Sequence, residues 1–342
     1  MQIEKLRKNI FFVGRASTAI YLILKTKFKD KEVILPSNIC YSVVYSIIYS
    51  GNIPVFVDVE KKTGNTSLKK IHEKINKSTA AIIFPYMYGN LSKNIFRLKK
   101  YCQSHNIILI EDCASTMFTN KNKVGLIGDF SIFSTGHAKV VDVGNGGIII
   151  TDNKIDDIKR EYNNLPFYNN IIKQKIEDFS KEYRFLRNEN NEENINKFFL
   201  SDYKELFLYK INKETIQKMK SKISEIENII NVRQENYYLF LKLLKKSNKY
   251  KIFKYQQGSI PWRFNLIIKN EIDKKKLTQN ILENNLFVSD WYPCIGKIFS
   301  ENRYPNSEYM EKRILNFSLT DKKNNIFKIC NIINNYFERS TE

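Results

Sequence analysis

The residues that could do chemistry fall within one stretch, residues 107–152. An apolar run at 107–110 reads as a buried strand that ends on the acidic pair Glu111 and Asp112. A turn-rich connection follows, with Asn120, Asn122, Gly125 and Gly128. A second strand, 130–133, ends at Ser134, and Gly136, His137 and Lys139 come directly after it. The run Gly144-Asn145-Gly146-Gly147 then turns into a third strand at 148–151. Open α/β sheets bind ligands at the carboxyl ends of their strands, and the groups delivered there are a carboxylate, a hydroxyl and a lysine. A lysine amine can form a Schiff base with the aldehyde of pyridoxal phosphate. A strand-end carboxylate can keep the pyridine nitrogen protonated, so that the ring draws electrons, and hydroxyls and backbone N–H groups can take the phosphate. Each residue alone has a plainer reading: a solvated lysine, a helix N-cap at Asp112, a hairpin turn at Gly144–Gly147. The ordered set lifts the cofactor reading above these.

The segment EDCAS…GDFSIFSTGHAK…GNGG resembles the sugar-nucleotide aminotransferases of the DegT/StrS type, among the fold-type I pyridoxal phosphate enzymes. The family pattern is an E-D-A-A-Q strand end, a G-D pair, a strand ending S-F-x-x-x-K, and G-x-G-G. The resemblance implies Lys139 as the Schiff-base lysine, Asp112 as partner of the pyridine nitrogen and Ser134 as a phosphate ligand. Ser115 stands where the family has a glutamine beside the ring, a departure at one position. Ser17 and Thr18 match a segment whose amides bind the phosphate at a helix N-terminus, although both residue types are also ordinary N-caps. Cys40 and Tyr41 fall where the family places a residue against the ring, with helix packing as the alternative for Tyr41. Tyr88, in Tyr86-Met87-Tyr88-Gly89, resembles a motif at the rim of the site. His137, two residues before Lys139, could contact the cofactor or be an ordinary loop histidine. Arg15, Arg263 and Trp291 are expected near the substrate; the planar fork of Arg263 suits a carboxylate or phosphate. The family's N-x-R element, which reaches the phosphate from a neighbouring subunit, has no clear match here.

The elements that must position these residues read as α/β. Strands at 32–35, 54–59, 80–85 and 107–110 alternate with helices, which argues for a mostly parallel sheet. The expected division is a three-layer large domain over residues 1–245 and a small C-terminal α/β domain over 246–342. Residues 188–197 are asparagine-rich and read as an exposed loop, and residues 214–244 read as one long helix with apolar residues at helical spacing. In the C-terminal part a strand is expected after Arg263, a helix over 271–284, and a tryptophan and tyrosine-proline segment at 286–295.

The formal charge is +20. Lysine scattered among isoleucine and asparagine accounts for much of it, and no basic-aromatic module stands out, so a solvated surface is expected rather than nucleic-acid binding. Five cysteines without metal spacing read as reduced thiols. No apolar run approaches a membrane span, and residues 1–12 lack a signal-peptide core, so a cytoplasmic protein without membrane partners is expected. His72 and His105 read as surface residues. The resemblance implies a pyridoxal phosphate-dependent aminotransferase, acting as a homodimer. It would move an amino group from an amino donor such as glutamate to a keto group on a nucleotide-linked sugar, for surface polysaccharide or natural-product assembly. A decarboxylase or other lyase on the same fold is the rival; the family's dehydratases carry histidine in place of the lysine. A non-catalytic relative acting as a binding partner is the other alternative.

Overall fold

Short runs of Val, Ile and Phe separated by amphipathic helices build the first half of the chain. The computed structural model describes residues 7–119, 124–189 and 192–339. Asn120 and Asn122 of the turn-rich connection, Asn190 and Asn191 of the asparagine-rich patch, and the first six residues of the N-terminal stretch lie outside the described residues. In chain order the elements are β1 (Asn9–Val13), α1 (Ala16–Lys27), β2 (Glu32–Pro36), α2 (Tyr41–Tyr49), β3 (Ile53–Val57), α3 (Leu68–Lys74), β4 (Thr79–Pro85), α4 (Asn94–Ser104), β5 (Ile108–Asp112), β6 (Phe130–Ser134) and β7 (Gly147–Thr151). Then come α5 (Asp156–Asn163), α6 (Asn170–Glu189), α7 (Glu192–Phe199), α8 (Lys204–Phe207), α9 (Lys213–Ser224) and α10 (Ile226–Leu243). The C-terminal part holds β8 (Tyr250–Ile252), β9 (Phe264–Ile268), α11 (Glu271–Glu283), α12 (Gly296–Phe299), α13 (Pro305–Glu311), β10 (Ile314–Phe317) and α14 (Lys323–Arg339).

Seven strands form one sheet in the order β1-β7-β6-β5-β4-β2-β3. β7 runs antiparallel to both neighbours, and the pairs from β6 through β3 are parallel. Side chains alternate across a strand, and both faces here are apolar because helices cover both. Val33, Leu35, Ala81 and Ile83 join the core beneath α1 and α2, whereas Ile34, Ile82 and Phe84 pack with Ile71 of α3 and Leu98 of α4. Met219 and Ile223 of α9 cover the second face at β6 and β7, against Phe133, Ile148 and Ile150. These are the three layers expected. A second sheet, β10-β9-β8, is antiparallel and packs under α11 and α14.

Two expected elements differ. The single helix over 214–244 is two: Glu225 (φ −86°, ψ 5°) separates α9 from α10, with its N–H bonded to Lys222, three residues back. The break lets α9 lie on the large sheet while Phe240 of α10 enters the core around β9. Most of 188–197 is not loop, since α7 begins at Glu192. Ile195, Phe198 and Phe199, spaced three and four apart, give α7 an apolar face that asparagine had obscured.

Glycine sets the closest approach in the sheet. Gly146 N–H donates to the Gly14 carbonyl (2.8 Å), and a Cβ on Gly147 would collide with the backbone of Arg15 and Ala16. Helix α1 therefore starts directly against the β6–β7 turn. Gly147→Ala is expected to lower stability by about 1–3 kcal/mol, measured by urea unfolding; an unchanged midpoint would contradict this packing.

Candidate active site

Three adjacent strands end together. β5 delivers Glu111 and Asp112, and β6 delivers Ser134 opposite Gly147 of β7. Glu111, fully buried, accepts hydrogen bonds from Tyr86 Oη (2.5 Å), Ser131 Oγ (3.3 Å) and the N–H groups of Gly125, Ile127 and Gly128. A buried carboxylate supplied with that many donors is satisfied and fixes the loop around it. Burial, and then the charge of Glu111, pushes the Tyr86 phenol far above its usual range.

Asp112 is placed differently. One carboxylate oxygen accepts from Ala114 N–H (2.9 Å). Burial pushes its carboxyl above the usual range, against the pull of the Ala114 amide and the charge of Lys139. The two groups feel each other's charge but form no direct ion pair.

The lysine sits on a heavily fixed turn. Ala138 has φ 60°, the left-handed region. Its N–H donates to Asp142 Oδ2 (2.7 Å) and its carbonyl accepts from Trp262 Nε1 (2.7 Å). Lys139 N–H donates to Gly136 (3.3 Å), and its carbonyl accepts from Arg233 Nη2 (3.3 Å). The Lys139 amine lies 5.7 Å from the centroid of the Trp262 ring.

The start of helix α1 packs against the turn that closes this segment, with Gly146 bonded to Gly14. Helix α1 starts without a side-chain cap, leaving the N–H groups of its first turn available. The hydroxyls of Ser17 (3.1 Å) and Thr18 (2.8 Å) donate to the Phe207 carbonyl, so these residues can offer an anion their amides rather than their hydroxyls. Ser134 Oγ accepts from Gly136 N–H (3.3 Å) and keeps its own proton to donate.

The other expected residues divide. Ser115 Oγ meets Tyr292 Oη (3.0 Å), a shorter reach than a glutamine would have. Cys40 sits at the junction of two core clusters and accepts from Ser42 Oγ through its sulfur (3.2 Å). Tyr41 is partly buried among Phe179, Tyr183, Phe199, Phe207 and Trp291, as the helix-packing alternative has it. Trp291 stands in the same cluster, beside Asp290, which Arg187 of α6 grips with both nitrogens (3.2 and 3.0 Å). Tyr88 is fully buried against Phe253 and Tyr292, so it lies beneath the rim rather than on it. The His137 side chain is 90% exposed and faces Asp142 (3.6 Å). Arg15 binds the Leu206 carbonyl (2.8 Å) and lies over Phe207, bracing that segment. Arg263 is buried between the rings of Trp262 and Phe287, and burial lowers its guanidinium to about 10, so it stays charged at neutral pH. Sequence reasoning missed Trp262, Tyr292 and Arg233 as supports of the site. The tryptophan preceding Arg263 was the available signal; Arg233 lay hidden in a helical repeat.

Residues 8–325 match the DegT/DnrJ/EryC1/StrS aminotransferase family. The chain belongs to that family. It is 32% identical to a GDP-perosamine synthase of Vibrio cholerae over 152 residues, covering 43% of this chain and 41% of that protein. It is 27% identical to a GDP-4-keto-6-deoxy-D-mannose 3-dehydratase of Yersinia pseudotuberculosis over 303 residues, covering 83% of this chain and 70% of that one. The match thus spans about two fifths of the length of the perosamine synthase. In structure the family member resembles Helicobacter pylori PseC, an aminotransferase of pseudaminic acid biosynthesis, with a TM-score of 0.78, 13% identity, and coverage of 98% and 89% of the two chains. It also resembles the E. coli 3-dehydratase with bound hydrated PLP (TM-score 0.72, 20% identity, 97% and 89%). Among the described residues no helix is long and apolar enough to cross a membrane, and no cluster of side chains could hold a metal ion.

Two outcomes follow from the carboxylates. Glu111→Gln would set an amide NH₂ against N–H donors and is expected to cost on the order of 3 kcal/mol in denaturant unfolding. Asp112 behaves oppositely. Its folded pKa is raised, so its contribution to stability is present below the usual carboxylate range and is lost as pH rises through the folded value. Cofactor-free Asp112→Asn should therefore melt at the same or a higher temperature than wild type at pH 7, with the difference shrinking toward about pH 4. A clear loss of melting temperature at pH 7 would contradict this.

Proposed function

We propose that this family member is a pyridoxal phosphate-dependent aminotransferase that moves an amino group from an amino acid, glutamate in the first instance, to a keto group of a nucleotide-linked deoxysugar. The observation that carries the reading is the Lys139 amine on its fixed turn, within range of the Asp112 charge and on the segment whose other end packs against the uncapped start of α1. The residues present fit the cofactor. Lys139 would hold its aldehyde carbon, Asp112 its pyridine nitrogen, and Ser134 with the first-turn amides of α1 its phosphate. When bound, the group supplies an electron sink for the substrate's reacting carbon.

The chain's own residues do the rest. The Lys139 amine takes the proton from the donor's α-carbon and returns one on the acceptor side, the general acid–base role of a freed lysine. A carboxylate at Asp112 would keep the ring nitrogen charged. That positive partner would in turn offset the effect of burial that raises the Asp112 pKa. The aromatic cluster of Tyr41, Tyr183 and Trp291, tied by Arg187 to Asp290, excludes water from one side. The relatives named for GDP-perosamine and dTDP-aminosugar formation support a nucleotide-sugar acceptor, and hence a place in polysaccharide or natural-product assembly. The longer match to a 3-dehydratase keeps a lyase as second reading, and the lysine at 139 favours transamination. A two-copy assembly in the cytoplasm completes the proposal.

Reconstitution with pyridoxal phosphate should give a visible absorption band that glutamate discharges, and Lys139→Ala should lose that band. Adding a GDP- or dTDP-linked 4-keto-6-deoxysugar to the glutamate-treated protein should restore the band and yield the aminosugar by mass spectrometry. A protein that stays colourless with the cofactor would overturn the reading, and a deoxygenated, unaminated product would move it to the lyase.

A further inference from the structure

The guanidinium of Arg263 forms no hydrogen bond to protein, although the residue is only 8% exposed and its Nη1 is wholly buried without a partner. It lies against two aromatic rings, 4.5 Å from the Trp262 centroid and 4.6 Å from that of Phe287. A buried charge left without acceptors is costly, so the arrangement is suited to an anion that arrives from outside. Arg263 borders a cleft of about 280 Å³ whose wall also includes Lys139, Asp142, Arg233, Trp262 and Thr320.

The other charges of that wall, the Lys139 amine apart, are already engaged. Arg233 gives Nη1 to the Trp262 carbonyl (2.8 Å) and Nη2 to that of Lys139. Asp142 accepts from the N–H groups of Ala138 and Gly144 (2.8 Å). Lys222 and Glu225 pair with each other (2.8 Å). Asp321 lies near enough to feel the Arg263 charge without an ion-pair contact. Arg263 is thus the wall's uncommitted guanidinium, on the cleft that Lys139 also lines.

We propose that Arg263 binds the α-carboxylate of the amino donor, presenting a small amino acid to Lys139 from the C-terminal side of the cleft. The inference rests on the aminotransferase reading and names the donor subsite within it. The planar fork matches a carboxylate in bidentate fashion.

The chain has two tryptophans, and one of them stacks on Arg263, so tryptophan fluorescence reports on this subsite without turnover. Titrating the full-length, cofactor-free protein with glutarate should give a saturable change. Arg263→Gln should weaken glutarate binding roughly 10- to 100-fold, and Arg263→Lys should fall between the two. In the reconstituted protein, Arg263→Gln should keep the cofactor band, raise the glutamate concentration needed to discharge it by a similar factor, and leave the KM for the sugar acceptor unchanged. Equal glutarate affinity in wild type and both variants would overturn the assignment, as would no binding by wild type. Displacement of glutarate by GDP would also overturn it, assigning the arginine to the acceptor's diphosphate. Failure of wild type to take up the cofactor would sink the parent reading alone, since the glutarate titration is read without it.

Discussion

The turn at Ala138 and Lys139 is held by side chains from two distant parts of the chain, and the rest of the site is arranged around that constraint. A left-handed alanine costs on the order of 1 kcal/mol. It persists here because Trp262 binds one carbonyl of the turn, Arg233 the next, and Asp142 the Ala138 N–H. The lysine therefore leaves the backbone in one direction, although its side chain is long and flexible. A reactive amine needs that kind of pre-positioning, because binding cannot otherwise recover the entropy of orienting it.

Two neighbouring carboxylates on β5 show how environment divides labour. Glu111 is surrounded by donors and serves the architecture, binding the 125–128 loop to the strand. Asp112, one residue on, has a single backbone donor and a distant lysine. Alternation along the strand turns the two side chains to opposite faces, so one is satisfied by the fold and the other keeps a single backbone donor.

The sheet was legible in the sequence, and so was the grouping of the candidate site residues, because they are local: Asp112 and Ser134 end strands, and Lys139 follows after a short fixed spacing. The supports were not, because they come from far along the chain. Trp262 meets Ala138 across 124 residues and Ser115 meets Tyr292 across 177. Tyr88 has a rim motif, but the C-terminal aromatic residues close over it. His137 and Arg15 carry the right chemistry in the right place along the chain, yet backbone direction turns the first to solvent and a carbonyl at Leu206 claims the second. The helix break at Glu225 has no proline or glycine to announce it; packing against two different surfaces produces it.

Helix α10 links both halves of the molecule through polar side chains on one face. Arg233 grips the lysine turn, and one turn further on, Asn236 donates to the carbonyls of Leu319 (3.0 Å) and Asp321 (3.2 Å) beside β10. The helix thus works as a tie rod with a fastening to each half. A displacement of the C-terminal sheet would therefore reach the Ala138–Lys139 turn through this one helix.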